Sequence, residues 1–116
     1  MQYSKNPKSD TLCVWGGEEK NNWMGATQVP IVHSVAFGYP NVDDWLDVAK
    51  ELKPGHIYSR NTNPTVQIFE EKVGILEGAE ATTSFSTGMA AISNTFFSLL
   101  SPGDRVVSIK DTYGGG

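Results

Sequence analysis

Residues Asn63 to Gly78 carry a complete set of helix punctuation, and it fixes where the rest of the chain can turn. Asn63 can cap a helix whose first position is Pro64, where the missing N–H costs nothing, and Gly78 supplies a left-handed stop. Between them apolar residues recur at Val66, Phe69, Val73 and Leu76, one face of a 3.6-residue period. The spacing predicts a helix over Pro64 to Glu77. Ala79 to Phe85, short and holding Thr82 and Thr83, reads as a strand. Gly88 to Leu100 sets Met89, Ile92, Phe96 and Leu99/Leu100 on one helical face, and Ser101-Pro102-Gly103-Asp104 is turn chemistry that ends it. Arg105 to Ile109, with Val106, Val107 and Ile109, reads as a second strand. Strand, helix and strand in about 30 residues make a βαβ-type unit. The fold class expected is therefore α/β, the start of a mainly parallel sheet flanked by helices.

Upstream the pattern is looser. From Met1 to about Lys53 there is little periodicity, and Val29 to Phe37, with Pro30 and then Gly38, reads as an extended arm holding one short strand. Tryptophans at positions 15, 23 and 45 need a surface to cover them. Val42, Trp45, Leu46, Val48, Ala49 and Leu52 lie close to a helical stripe, so Asn41 to Leu52 is expected to be a short amphipathic helix stopped by Pro54-Gly55.

Composition narrows the function classes. The 116 residues carry nine Lys+Arg against thirteen Asp+Glu, a net charge of −4, with no basic run, so the electrostatic footprint of a nucleic-acid binder or of an acidic-membrane binder is missing. Cys13 is the single cysteine, which excludes an internal disulfide framework and a cysteine-based zinc cluster, and it is expected to be buried and inert. No stretch approaches the ~18 apolar residues of a membrane span, and MQYSKNPKSD lacks the apolar core of a signal peptide. A cytoplasmic setting is the expectation. The ending Asp111-Thr112-Tyr113-Gly114-Gly115-Gly116 enters a loop just after a strand-like segment, and so reads as the front piece of a longer chain.

Three places carry candidate chemistry. Ser84-Phe85-Ser86-Thr87-Gly88-Met89-Ala90-Ala91 runs from a strand end into a helix start, where free N–H groups point outward and a glycine lets an anion approach the backbone. A phosphate fits there; the plainer reading is that Ser86 or Thr87 only caps the helix. Tyr58-Ser59-Arg60 puts a phenol and a guanidinium two positions apart, and in an extended segment both face the same way and can donate to one anion. The plainer reading is a surface arginine beside a packing tyrosine. Tyr113 sits at the C-terminal edge of the expected sheet, where open α/β sheets hold ligands, either as a ring stacked on a flat cofactor or as a rim tyrosine. His33 and His56 lack metal-ligand spacing, His56 reading as a loop hydrogen-bonder, and Asp43-Asp44 and Glu70-Glu71 read as solvated helix faces. No metal site is expected.

Taken in order, Tyr58-Ser59-Arg60-x-x-Asn63-Pro64-Thr65, Leu76-Glu77-Gly78-Ala79-Glu80, Ser86-Thr87-Gly88-Met89-Ala90-Ala91-Ile92 and Asp111-Thr112-Tyr113-Gly114-Gly115 closely resemble the Cys/Met-metabolism family of pyridoxal-phosphate enzymes. The resemblance runs from about Gln28 to Gly115 and amounts to the first quarter or third of a family member. It implies the large domain of aspartate-aminotransferase-like, fold type I enzymes. Residues 1–60 would be an arm packing on a neighbouring subunit, and 61–116 the beginning of the cofactor domain. It also implies pyridoxal 5'-phosphate as cofactor, a homotetramer with sites shared between subunits, and amino-acid substrates undergoing γ-replacement or β/γ-elimination. Arg60 and Tyr58 would reach the cofactor phosphate of the neighbour, with Tyr58 also facing the substrate. Gly88 and Met89 would donate backbone N–H groups to the phosphate in their own subunit, and Tyr113 would stack on the pyridine ring.

The sequence departs from the family in places. The Schiff-base lysine and the aspartate on the pyridine nitrogen fall past residue 116, and the lysines at 5, 8, 20, 50, 53, 72 and 110 match no Schiff-base motif. Gly116 stands where the family usually has threonine, and Gly115 where typical methionine γ-lyases carry cysteine. The wording of Ser108 to Gly115 looks most like cystathionine γ-synthase-like chains. The competing readings are a non-catalytic remnant of the same fold serving as an interface segment and, more weakly, a Rossmann nucleotide binder, for which no G-x-G-x-x-G follows a strand.

Overall fold

The computed structural model describes residues 7–18 and 23–114; Lys5, Lys20, Gly115 and Gly116 lie outside the described residues. Four helices follow one another: α1 (Ser9–Trp15), α2 (Val42–Ala49), α3 (Pro64–Glu77) and α4 (Gly88–Leu99). The chain divides into two units, residues 1–82 and 83–116.

In the first unit α3 occupies the predicted span. The Asn63 side chain accepts from the Thr65 amide at 2.9 Å, Pro64 fills the first position, and Gly78 closes the helix at φ 66 with its N–H on the Gly74 carbonyl. α1, which the sequence pattern did not show, packs on α3. Lys72 holds it there, donating to the Val14 carbonyl at 2.9 Å and pairing with Glu18 at 2.6 Å. Gly16 and Gly17 come against Ile75, Glu71 and Ile68, so α1 lies on the side of α3 that carries Ile68, Glu71, Lys72 and Ile75. Of the predicted stripe Val66, Phe69 and Leu76 are exposed and Val73 is half-buried, and Ile75 on the α1 side is exposed as well. Among the described residues the buried hydrophobic side chains are Val48 and Ile68.

The arm doubles back on the residues that lead into α3. Phe37 N donates to Ile57 O at 3.0 Å and Ser59 N to Val35 O at 2.8 Å, which makes one antiparallel bridge, Ala36 to Tyr58. The short strand expected in 29–37 is reduced to that bridge. α2 turns the chain around between the two limbs. Asn41 caps it through the Asp44 amide at 2.8 Å, and it ends at Ala49, three residues before the predicted Leu52. Lys50 to Lys53 wrap instead, with Glu51 at φ 60, and Lys53 pairs with Asp44 at 3.0 Å and Asp47 at 2.8 Å. Those contacts lower the Asp44 pKa, chiefly through its hydrogen bond from Lys53. Asp44 is therefore not a merely solvated carboxylate. Trp23 and Trp45 stay exposed, and so does Cys13, contrary to the burial expected for it.

In the second unit α4 begins at Gly88 as predicted, capped by Thr87, whose hydroxyl accepts from Ala90 N at 3.1 Å. The Ser101-to-Asp104 turn is formed, Ser101 N donating to Asp104 Oδ2 at 2.7 Å, with Gly103 at φ 102. The predicted strands at 79–85 and 105–109 are absent, and with them the parallel sheet. A strand exists only where a neighbour accepts and donates its ladder of bonds, and no described residue does so for these segments. No helix among the described residues is long and apolar enough to cross a membrane.

Candidate functional site

Tyr58 and Arg60 are brought together, though by a turn and not by an extended run. Asn61 N and Thr62 N both donate to the Tyr58 carbonyl, at 2.9 and 3.2 Å, and this curl carries the Arg60 guanidinium over the Tyr58 ring, 5.0 Å from its centroid. The two-residue spacing foretold the shared face; its cause is the turn. Both side chains are exposed, and neither the phenol nor the guanidinium has a hydrogen-bond partner among the described residues. A phenol O–H and a planar fork of N–H donors thus stand side by side with their polar ends free, which is what binding one anion requires.

Beside this turn lies His56. Its backbone N–H donates to the Tyr39 hydroxyl at 3.1 Å, that hydroxyl donates to the His56 carbonyl at 2.9 Å, and its Nδ1 meets Thr62 Oγ1 at 3.0 Å. The imidazole rests on Phe37 with centroids 5.3 Å apart, and partial burial pushes its pKa below the ordinary value of 6.5. The unfolded chain therefore takes up this proton first as pH falls. Stability contributed by the neutral ring is whole above about pH 7 and declines as the pH drops below 6.5 through the folded pKa. Replacing His56 by Gln is expected to flatten that part of the curve, and melting temperatures of the two proteins between about pH 7 and 5 check it. Curves that stay parallel would exclude His56 as the cause.

Gly88 and Met89 stand together at the start of α4. Helix geometry leaves the first four N–H groups, those of Thr87 to Ala90, without intrahelical partners; the Thr87 hydroxyl takes the Ala90 amide, and the Thr87 carbonyl accepts the first intrahelical bond from Ala91. The amides of Gly88 and Met89 are among those left open. No acidic residue occupies the first turn, and the space where a Cβ would stand on Gly88 is open to 4 Å. The cap and the anion cradle, which the sequence posed as alternatives, coexist, because they use different amides. Such a cradle fits a phosphate group. Tyr113 belongs to the same unit and is 88% exposed, its ring available on both faces.

A cleft of about 500 Å³ opens along α3 and is bordered by Glu70, Glu71 and Glu80. Its carboxylates repel anions, so it is no part of the phosphate-binding chemistry. The sequence reading missed Ser59 and undervalued Asn63, which is more than a cap. Asn63 is 8% exposed, the one buried polar residue among those described, and an amide so placed must spend its donors as well as its acceptor.

Comparison with known proteins supplies the wider frame. The family model described as Cys/Met metabolism PLP-dependent enzyme matches residues 10–116. L-methionine gamma-lyase of Pseudomonas putida is 33% identical over 111 residues, covering 96% of this chain and 28% of that protein. O-acetyl-L-homoserine sulfhydrylase of Corynebacterium glutamicum is 32% identical over 106 residues, covering 91% and 24%. O-succinylhomoserine sulfhydrylase of Pseudomonas aeruginosa is 48% identical over 61 residues, covering 53% and 15%. The chain spans about a quarter of the length of the first of these relatives.

Proposed function

Given that the chain belongs to the pyridoxal-phosphate-dependent Cys/Met metabolism family, we propose that it forms the phosphate-binding front of an enzyme acting on sulfur-containing or acylated homoserine-type amino acids. The reaction is γ-replacement or β/γ-elimination at a carbon–heteroatom bond, and within that range the cystathionine γ-synthase-like branch is favoured. Gly115, in place of the cysteine of typical methionine γ-lyases, argues against that branch alone, and the wording of Ser108 to Gly115 is what favours the synthase-like one. The observation that carries the reading is the start of α4, with two open amides, no carboxylate and an open approach at Gly88. Bound pyridoxal phosphate supplies an electron sink for a carbanion formed on the substrate.

This chain's own residues would do the holding. Gly88 and Met89 donate N–H groups to the phosphate of their own subunit, while Tyr58 and Arg60 donate to that of a neighbour in a homotetramer built from dimers. Two fixed amides and a guanidinium set the phosphate without a metal ion's help in charge balance. Tyr113 lays its ring on the flat cofactor, and its hydroxyl and that of Tyr58 are placed to hold or move a proton next to the substrate. A fold type I sheet, with 79–85 and 105–109 as two of its strands, completes the proposal, as does a cytoplasmic setting.

In the whole protein Tyr113→Phe is expected to keep cofactor affinity within about twofold and to slow turnover, whereas Tyr113→Ala loses about tenfold in affinity as the stack disappears. Equilibrium dialysis and steady-state rates with O-acylhomoserine and a thiol decide it. The reverse order, with the Phe variant shedding cofactor and the Ala variant unaffected, would remove Tyr113 from the site.

A further inference from the structure

The Tyr58–Arg60 turn is closed on the Tyr58 carbonyl, and what ties it to the arm are bonds made by the residues around that pair. Between them stands Ser59, whose N–H donates to Val35 O at 2.8 Å and whose hydroxyl donates to the Ser34 carbonyl. The same hydroxyl accepts from Asn63 Nδ2 at 3.0 Å, and that nitrogen also donates to Val32 O at 3.0 Å. Asn63 Oδ1 meanwhile accepts from Thr65 N at 2.9 Å. Both hydrogens of one buried amide and its oxygen are thereby committed, to the arm, to the turn and to the first turn of α3. An exposed phenol and an exposed guanidinium touch each other but have no hydrogen-bond partner among the described residues, so the direction of the pair depends on the backbone beneath it.

From this arrangement we infer that Ser59 and Asn63 are positioning residues for anion recognition: they lock the turn so that Tyr58 and Arg60 present one bidentate face to a phosphate. The inference rests on the proposed role of Arg60 and adds the two residues through which it acts. Helix capping alone would not require the Nδ2 contacts, and Asp at position 63 would cap equally well. Asn63→Asp keeps the acceptor and deletes the donors but adds a charge, so it is read beside Ser59→Ala, which adds none: it deletes the hydroxyl at a partly exposed site and leaves the backbone bonds intact. Ser59→Thr restores the hydroxyl.

The experiment uses the whole protein freed of cofactor and reads dissociation constants for pyridoxal phosphate and for pyridoxal, which lacks the phosphate, with melting temperature alongside. Ser59→Ala and Asn63→Asp are expected to weaken pyridoxal phosphate by about 3- to 10-fold, the worth of the one hydrogen bond to phosphate that a misaimed donor forgoes, with pyridoxal unchanged. Ser59→Thr is expected to return the ratio of the two constants to the wild-type value. A fall in both affinities together, or in melting temperature with the ratio unchanged, would overturn the positioning role and leave only a structural one. Arg60→Ala, run in parallel, separates the premise from the inference. If it shifts the ratio and Ser59→Ala does not, the inference fails; if Arg60→Ala leaves the ratio unchanged, the reading beneath it fails as well.

Discussion

Arg60→Ala in the whole protein is expected to release cofactor about 30- to 1000-fold more readily, equivalent to about 2–4 kcal/mol, because a permanently charged planar donor to phosphate is replaced by a methyl group. The guanidinium stands exposed over the Tyr58 ring with no carboxylate paired to it among the described residues, so its hydrogen-bonding capacity is open to the phosphate proposed for it. Dialysis followed by absorbance checks the affinity. Equal retention in variant and wild type would end the assignment of Arg60 to the phosphate. A second measurement addresses which subunit is served. Mixed oligomers of the Arg60 variant and a variant lacking the cofactor-anchoring lysine are expected to regain activity, since some sites then combine intact halves. No recovery despite proven subunit exchange would mean that the turn serves its own subunit.

The 116 residues expressed by themselves are expected to aggregate, or to remain compact without fixed packing, and to show no cooperative melting. Two apolar side chains, Val48 and Ile68, are buried among those described, whereas Phe97 on α4 is 85% exposed and Val107 beyond it 95%. Each such side chain forgoes about 1.5–3 kcal/mol that full burial would supply. Residues 105–109 form no strand, and Val106, Val107 and Ile109 within them are exposed. Dye binding by exposed apolar surface, light scattering and calorimetry are the measurements. A soluble monomer with a sharp calorimetric transition would contradict the expectation.

What could be read in the sequence was what depends on neighbours in the sequence. α3 and the start of α4 were legible because a cap, a proline and a left-handed glycine act within one turn of where they stand. The end of α2 was not, because Lys53 reaching back to Asp44 and Asp47 decides it and apolar spacing carries no trace of that pairing. α1 has no side-chain cap and owes its place to α3 and to Lys72, 58 residues from Val14. The stripe Val66, Phe69, Val73 and Leu76 was legible as an apolar side of α3, but periodicity does not show which side these residues cover, and Val66, Phe69 and Leu76 are exposed. For the candidate site Tyr58, Arg60, Gly88, Met89 and Tyr113 were proposed from residue type, place and the family resemblance. Ser59 and the donor half of Asn63 were hidden because their bonds lead to backbone carbonyls of the arm, which any sequence there would offer.

The way the arm doubles back sets an order of assembly. Its cross-links are nested: Tyr39 to His56 spans 17 residues, Ser59 to Ser34 25, Asn63 to Val32 31, Thr65 to Pro30 35, and Lys72 to Val14 58. Closing the widest of these loops directly from an open chain would carry its whole entropy at once. Closed from the α2 tip outward, each link starts from a loop already shut, and moving from 35 to 58 residues adds about half a kcal/mol. The first unit is thus built to zip, innermost pair first, and a force applied at its N-terminal end would open it in the reverse order, with Lys72 releasing first and the Tyr39 clamp last.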